Sequence, residues 1–86
     1  MHLKIKMKVK AIKCNNCGDI IYSRARHDCR GCTCGEIYID GGFDYIRVGG
    51  KTFPKIFDFE IKASKKELYN DWNDMKDKYG LVKEVV

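Results

Sequence analysis

The chain has 86 residues, of which 44% are hydrophobic and 34% are charged, and its formal net charge is +5. This length and balance predict one small folded domain and argue against a disordered tail. No segment approaches the roughly 20 apolar residues of a membrane-spanning helix, and lysines at every second position near the start argue against a secretory signal. We therefore expect a cytoplasmic protein with no membrane partner.

The positive charge belongs to the cysteine-bearing part of the chain. Residues 1–55 contain 11 Lys and Arg against 5 Asp and Glu, whereas residues 56–86 contain 6 against 7. Such an excess attracts phosphate backbones or acidic proteins. The charge alone therefore leaves both kinds of partner open.

Residues 3–10 alternate between apolar side chains and lysines. A period of two predicts a strand with one buried face and one solvent-exposed face. We interpret the lysine row mainly as protection of a sheet edge against pairing with other chains. A phosphate-binding stripe is the less favoured interpretation.

Four further segments have the composition or alternation of strands, namely residues 19–23, 36–40, 43–48 and 55–61. Gly41 and Gly42 predict a tight turn, so the second and third segments would pair as a hairpin. Pro54 marks the start of the last segment, because proline has no N–H for a strand ladder. The tail at 81–86 would add an edge strand or fray.

Residues 64–80 have the pattern of a helix. One stripe with helical spacing consists of Leu68, Trp72, Met75 and Tyr79. Ser64 and Glu67 have the spacing of a capping box, and Gly80 is a C-terminal stop. We predict that the stripe packs on the sheet, with Trp72 in the core rather than at a partner.

The predicted fold class is α+β, a small antiparallel sheet packed by one C-terminal helix, in a single domain over 1–86.

Five cysteines lie within residues 14–34. In a reducing cytosol such clustering favours metal binding over disulfides, and structural zinc takes four thiolate or imidazole ligands. A glycine after a cysteine pair lets the backbone fold back toward the sulfur. We predict a structural Zn2+ site with the ligands Cys14, Cys17, Cys32 and Cys34. Cys29 is an alternative in place of Cys32 or Cys34, because Cys29 and Cys32 also have the C-x2-C spacing, and His27 is a less favoured ligand.

Four thiolates would close the coordination shell of the metal. Catalytic zinc keeps an open position for water, so we expect a structural ion and no enzymatic activity. A dithiol redox pair is disfavoured because no helix start follows the C-x2-C spacing to lower a thiol pKa. The metal would instead supply folding free energy that a small core lacks.

The run RHDCRGCTCGEIYIDGGFDYIRVGG, with CNNCGD before it, resembles a family of small, uncharacterised phage and bacterial zinc-ribbon proteins. Their pattern, CxxCGD, RHD, CxCG and DGGxDYxR, covers roughly residues 11–50 here. It is matched by Cys14, Cys17, Gly18, Asp19, Ile21, Ser23, Arg26, His27, Asp28, Cys32, Cys34, Gly35, Ile37, Asp40, Gly41, Gly42, Asp44, Tyr45 and Arg47. The resemblance implies a zinc ribbon with Cys32 and Cys34 as the second pair, a phage or prophage origin, and hence the cytosol of a host cell. It implies no activity, and an aromatic residue usually stands at the position of Cys29, whose role stays open.

Polar residues around the ribbon offer a binding surface, which we predict to consist of Arg24, Arg26, His27, Arg30, Asp44, Tyr45 and Arg47. Our preferred function is a non-enzymatic module that binds and modulates a host protein, as a counter-defence inhibitor would. The alternative is a basic nucleic-acid-binding protein, because arginine and aromatic side chains suit phosphate contact and base stacking. A nuclease that uses His27 and Asp28 is least favoured. Asp40, another acid of the same group, precedes Gly41 and Gly42 and also suits a tight turn. A homodimer through an exposed strand edge is also open.

Overall fold

The computed structural model describes residues 6–52 and 54–83. In this part the chain forms seven strands and one helix: β1 (Met7–Lys13), β2 (Asp19–Tyr22), β3 (Arg30–Gly31), β4 (Ile37–Asp40), β5 (Arg47–Gly50), β6 (Phe57–Ile61), α1 (Lys65–Asn73) and β7 (Leu81–Lys83). The described helix is too short to cross a membrane.

The strands form two antiparallel sheets. The larger has the order β6-β1-β2-β7, and the smaller has the order β3-β4-β5. Val9 lies opposite Phe59 in the larger sheet, and Ile39 lies opposite Val48 in the smaller one. Together with α1, this arrangement confirms the α+β class predicted from the sequence.

The four-stranded sheet contributes to a separate hydrophobic core on each face. Successive residues of a strand point to opposite sides, so Val9 of β1 joins a core with Leu68 of α1. Ile12 of the same strand joins a second core, to which the small sheet also contributes. Cys14 and Cys32 belong to this second core. The cysteine-bearing turns are therefore anchored between the two sheets.

Strand β1 confirms the predicted alternation for the residues that the structure describes. Residues 3–5 of the predicted strand lie outside the described part of the chain. The strand is an inner one, with Lys8 opposite Glu60 and Lys10 opposite Asp58 of β6. Lys10 and Asp58 form an ion pair. The edge-protecting interpretation is therefore wrong for Lys8 and Lys10, because these lysines face an acidic neighbouring strand.

The predicted hairpin after β4 is present, with a longer connection than expected. Strand β5 begins later than predicted, at Arg47, so residues 41–46 form a loop. Gly42 donates a backbone hydrogen bond to Ser23 Oγ at 2.9 Å. A Cβ on Gly42, whose φ is +56°, would lie 2.4 Å from the carbonyl carbon of Ala25. The loop is thus anchored on the segment after β2, and it does not close as a two-residue turn.

Helix α1 begins as predicted and ends earlier. Glu67 N–H donates to the side chain of Ser64 and Ser64 N–H donates to the Glu67 carboxylate, which confirms the capping box. The helix ends at Asn73 and not near residue 80. The carboxylate of Asp71 accepts hydrogen bonds from the backbone N–H groups of residues 78 and 79, which turns the chain back toward the helix.

The predicted helical stripe is divided by this early end. Leu68 is fully buried and Trp72 is only half-buried. Met75 lies beyond the helix with a φ of +58° and is 90% exposed, so its predicted place in the core is wrong. Tyr79 still packs against the first core, but from the turn before β7.

A buried ion network joins α1 to the segment that follows β2. Arg24 Nε lies 2.8 Å from Asp28 Oδ2, and Arg24 Nη1 lies 2.7 Å from Asp71 Oδ2. Burial acts to lower the pKa of Arg24, but the hydrogen bonds and charges of the two aspartates outweigh burial and raise that pKa. Burial acts to raise the pKa of Asp71, whereas Arg24 and two backbone N–H groups lower it overall. Arg24 and Asp71 therefore stay charged inside the protein and compensate each other.

We expect Asp71→Asn to lower the free energy of unfolding by about 3–5 kcal/mol, because it leaves the buried charge of Arg24 without one of its partners. Asp77→Asn is the matched control, since Asp77 is exposed and pairs with Arg30 at 2.9 Å. Because Asp77 is exposed, solvent screens this pair and its loss should cost about 0–1 kcal/mol. Urea denaturation of the metal-bound chain, followed by circular dichroism, measures both variants. Equal losses would contradict the role of the network.

Candidate metal centre

The four predicted cysteine ligands lie together beside the second core. The Sγ atoms of Cys14, Cys17, Cys32 and Cys34 all lie within 4.8 Å of one another. Cys34 Sγ is 3.5 Å from Cys14 Sγ and 3.5 Å from Cys32 Sγ. A tetrahedral ion with metal–sulfur bonds of about 2.3 Å separates its sulfur ligands by about 3.8 Å. The cluster therefore fits a four-coordinate metal ion.

The first cysteine turn spans residues 14–18 and connects β1 with β2. Gly18 has a φ of +79°, which favours glycine, and it donates a hydrogen bond to Cys14 O at 2.9 Å. Cys17 N–H donates to Cys14 Sγ at 3.5 Å. A hydrogen bond to sulfur favours the thiolate over the thiol, so this contact acts to lower the pKa of Cys14.

The second cysteine turn spans residues 32–35 and connects β3 with β4. It closes in the same way, since Gly35 has a φ of +77° and donates to Cys32 O at 3.0 Å. Cys32 N–H in turn donates to Ile37 O at 3.2 Å. The glycine after each cysteine pair thus lets the backbone fold back, and each turn delivers two sulfurs to the cluster.

Asp19 connects the two turns, although the sequence pattern left it without a role of its own. It is buried, and its Oδ2 accepts a hydrogen bond from Thr33 N at 2.8 Å. The Thr33 side chain is the main cause that lowers the pKa of Asp19, and the Thr33 backbone and Cys17 add to it against burial. Asp19 follows the first turn and Thr33 lies inside the second, so the carboxylate clamps them together. The signal for this role in the sequence was the position of Asp19, an acidic residue directly after C-x2-C-G.

Two thiols of the cluster differ strongly in acidity. Burial raises the pKa of Cys14 to about 12. Hydrogen bonds from the side chain of Asn16 and the backbone of Glu36 lower the pKa of Cys34 to about 6. A cation bound between them would supply the positive charge that a buried thiolate at Cys14 requires. Metal binding would therefore release protons and depend on pH.

The structure does not bring Cys29 or His27 into the cluster. Among the described residues, the metal-ligating side chains that converge are the four cysteines named above. Cys29 is exposed as a residue, but partial desolvation of its sulfur, together with the charges of Asp40 and Asp28, raises its pKa. The ring centroid of His27 lies 6.5 Å from that of Trp72. Neither residue is therefore placed to replace a cysteine ligand.

Two arginines of the predicted binding surface are not free to bind a partner. Placing Arg24 on that surface is wrong, because its side chain is 6% exposed and is held by Asp28 and Asp71. The side chain of Arg30 is 17% exposed and pairs with Asp77. Both arginines tie the end of the chain to its cysteine-bearing part.

The remaining members of the predicted surface are exposed; they are Arg26, His27, Asp44, Tyr45 and Arg47. Arg26 Nε lies 3.9 Å from Asp44 Oδ2, and Tyr45 OH donates to Arg26 O at 3.4 Å. The guanidinium carbon of Arg47 lies 5.9 Å from the ring centroid of Tyr45. Except for His27, which lies against Trp72, these residues contact one another.

The fold and the cluster define a small α+β domain with four cysteines placed to hold a metal ion. Residues 6–50 match the family described as "Domain of unknown function (DUF7695)", and the chain belongs to this family. The matched part contains β1 to β5 and all four cysteines of the cluster. No curated protein and no solved structure matches the chain.

We expect Cys17→Ser to reduce bound metal from about one ion per chain to well below that, because the tetrahedral site loses a thiolate. Cys29→Ser is the matched control: both cysteines are exposed, and only Cys17 belongs to the cluster. Inductively coupled plasma mass spectrometry of the purified chains gives the ratio. Loss of metal from Cys29→Ser, or full retention by Cys17→Ser, would show that a different ligand set is used.

We expect Asp19→Asn to weaken metal affinity by about 10–100-fold with all four ligands in place, as is typical of residues that orient ligands. Asp40→Asn is the control, because Asp40 accepts the N–H of Gly41 (2.8 Å) in a different turn. Competition with a chromophoric chelator measures both affinities. Unchanged affinity in Asp19→Asn would mean that the clamp has no effect on the metal.

Proposed function

We propose that this protein is a non-enzymatic binding module in which a structural Zn2+ ion completes a zinc ribbon, and that it binds and modulates a host protein. The observation that carries the proposal is the set of four cysteine sulfurs within 4.8 Å of one another. Four thiolates fill a tetrahedral shell and leave no position for substrate or activated water. The ion then stabilises the fold and performs no chemistry.

We propose zinc as the metal because a set of four cysteine thiolates favours it. Soft thiolate ligands in a tetrahedron select zinc or iron among the first-row metals, and zinc adds no redox chemistry of its own. Cys14 and Cys32 are also members of the second hydrophobic core. Metal binding free energy is therefore coupled directly to the packing of that core.

A protein partner is favoured over nucleic acid because three cations of the cysteine-bearing part are already paired within the protein. Arg24 and Arg30 are held by aspartates, and Lys10 pairs with Asp58. Nucleic acid binding draws its affinity from cations that neutralise phosphates. The ion pairs within the protein reduce the number of cations that are available for that role.

The arrangement around His27 supports a function without catalysis. Asp28 Oδ2 accepts hydrogen bonds from Arg24 N and Arg24 Nε, and the ring of His27 lies near Trp72. An acid–base pair needs both groups within hydrogen-bond reach of one substrate. Asp28 is instead committed to the buried ion network, which argues against the nuclease alternative.

The setting that we propose is the cytosol of a bacterial host, with a phage or prophage origin. The resemblance of roughly residues 11–50 to phage and bacterial zinc-ribbon proteins supports this origin. A counter-defence inhibitor has to occupy the surface of a host enzyme, and a small metal-stabilised domain with exposed aromatic side chains suits that task.

Affinity capture from a nuclease-treated bacterial lysate tests the proposed function. We expect the immobilised metal-bound chain to retain one protein in near-stoichiometric amount, and a chelator-treated chain to lose it, because the platform depends on the ion. A gel shift at low salt with DNA and RNA is the parallel measurement. A shift without any captured protein would favour the nucleic-acid alternative, and no binding in either experiment would overturn the module itself.

A further inference from the structure

Large apolar side chains remain exposed on the loop between β4 and β5 and on the neighbouring helix. Phe43, Tyr45, Ile46 and Tyr69 are each between 37% and 48% exposed, and we call these four residues the apolar patch. Single exposed apolar residues are ordinary. A contiguous group around concave surfaces is instead typical of an interaction site.

Two adjoining cavities give the apolar patch its shape. The first, of about 460 Å3, lies between β1 and the loop, and its apolar wall consists of Val9, Phe43, Tyr45 and Ile46. The second, of about 360 Å3, lies between the loop and α1, and Phe43 and Tyr69 both line it. Phe43 and Asp44 line both cavities and form the ridge between them. The first cavity is large enough for one bulky side chain of a partner.

The loop that carries the patch is held in place by its own contacts. The backbone N–H groups of Asp44 and Tyr45 donate to Gly41 O at 3.1 and 3.3 Å. Gly42 is fixed to Ser23, and Tyr45 OH reaches Arg26 O. A surface ordered before binding loses little conformational entropy when a partner docks.

Cations already cover two of the exposed rings. Lys65 Nζ lies 4.8 Å from the ring centroid of Phe43, and the guanidinium carbon of Arg47 lies 5.9 Å from that of Tyr45. Binding of single-stranded nucleic acid relies on bases that stack on free aromatic faces. These rings are therefore better placed as walls for a side-chain anchor than as stacking platforms.

The charge around the cavities defines the chemistry of the partner. Among the described residues that line them, Lys8, Lys10, Arg26 and Lys65 are cationic and Asp44 is anionic. Lys10 also pairs with Asp58, and Arg26 Nε lies 3.9 Å from Asp44 Oδ2, so Lys8 and Lys65 carry most of the positive charge that the rim offers to a partner. Complementary charge steers association and fixes register. Two copies of this chain would bring like charges together, so a second copy is a poor occupant.

We infer that the apolar patch docks an acidic protein segment that inserts one large apolar side chain into the cavity between β1 and the loop. Asp and Glu residues flanking that side chain would face the lysines and the arginine at the rim. This inference rests on the protein-binding function proposed above and names the place and the chemistry of the contact.

Nuclear magnetic resonance titration of the isotope-labelled, zinc-bound full chain tests the inference. The probe is the peptide acetyl-Glu-Asp-Trp-Asp-Glu-amide, compared with one peptide carrying Ser in place of Trp and another carrying Lys in place of every acid. We expect the tryptophan peptide to shift the amide signals of residues 43–46 and to bind at least roughly tenfold more tightly than the other two. Added salt should weaken this binding.

Ile46→Ser should weaken binding of the tryptophan peptide about tenfold, because it removes an apolar wall of the first cavity. Met75→Ser is the matched control, since Met75 is 90% exposed and lines neither cavity. Lys65→Glu, which reverses one charge at the rim, should also weaken binding of the tryptophan peptide. Any one of four results would overturn the inference. These are equal binding of all three peptides, amide shifts that fall outside the loop, displacement of the peptide by a short oligouridylate, and self-association of the chain that Ile46→Ser abolishes.

The same variant separates this inference from the proposed function. If Ile46→Ser retains the captured host protein as well as the wild type does, the function stands and the docking site is wrong. If no host protein is captured while the peptide still binds the loop, the proposed function fails and the docking surface stands.

Discussion

The four sulfurs held within reach of one ion are the constraint on which this structure depends. The small sheet has strands of two to four residues, and sheets of that size rarely hold together by pairing alone. Each cysteine turn leads from one strand to the next, one in each sheet. A metal ion at the cluster would therefore join the two sheets through its bonds to four sulfurs, while Asp19 joins them through the backbone of Thr33.

The segment after β2 forms a second joint. Ser23 Oγ holds the loop at 41–46 through Gly42, and the next residue, Arg24, holds α1 through Asp71. The apolar patch lies partly on that loop and partly on that helix, so its shape depends on both contacts. The cysteine cluster and the apolar patch are distinct sites. Within the patch, the contacts of Ser23 and Arg24 hold the loop and the helix in place relative to each other.

Part of the charge that the sequence suggested for binding serves the fold instead. Arg24 and Arg30 connect the cysteine-bearing part to the end of the chain, and Lys10 pairs across β1 and β6. The cations that line the cavities, Lys8, Lys10, Arg26 and Lys65, surround apolar walls. This distribution fits a rim of charge around an apolar contact, which is the usual anatomy of a protein interface.

The sequence by itself determined the features that depend on near neighbours in the chain. The alternation of β1, the capping box at Ser64, and the two turns with a cysteine pair before a glycine all follow from residues a few positions apart, because backbone hydrogen bonds and φ preferences act over that range. Only the tertiary structure decided the burial of Arg24 and the early end of α1. Arg24 and Asp71 are separated by 47 positions, and no local pattern shows that a charged side chain will find its partner at that distance. The same holds for the clamp at Asp19 and for β3, which exists only because β4 is there to pair with it.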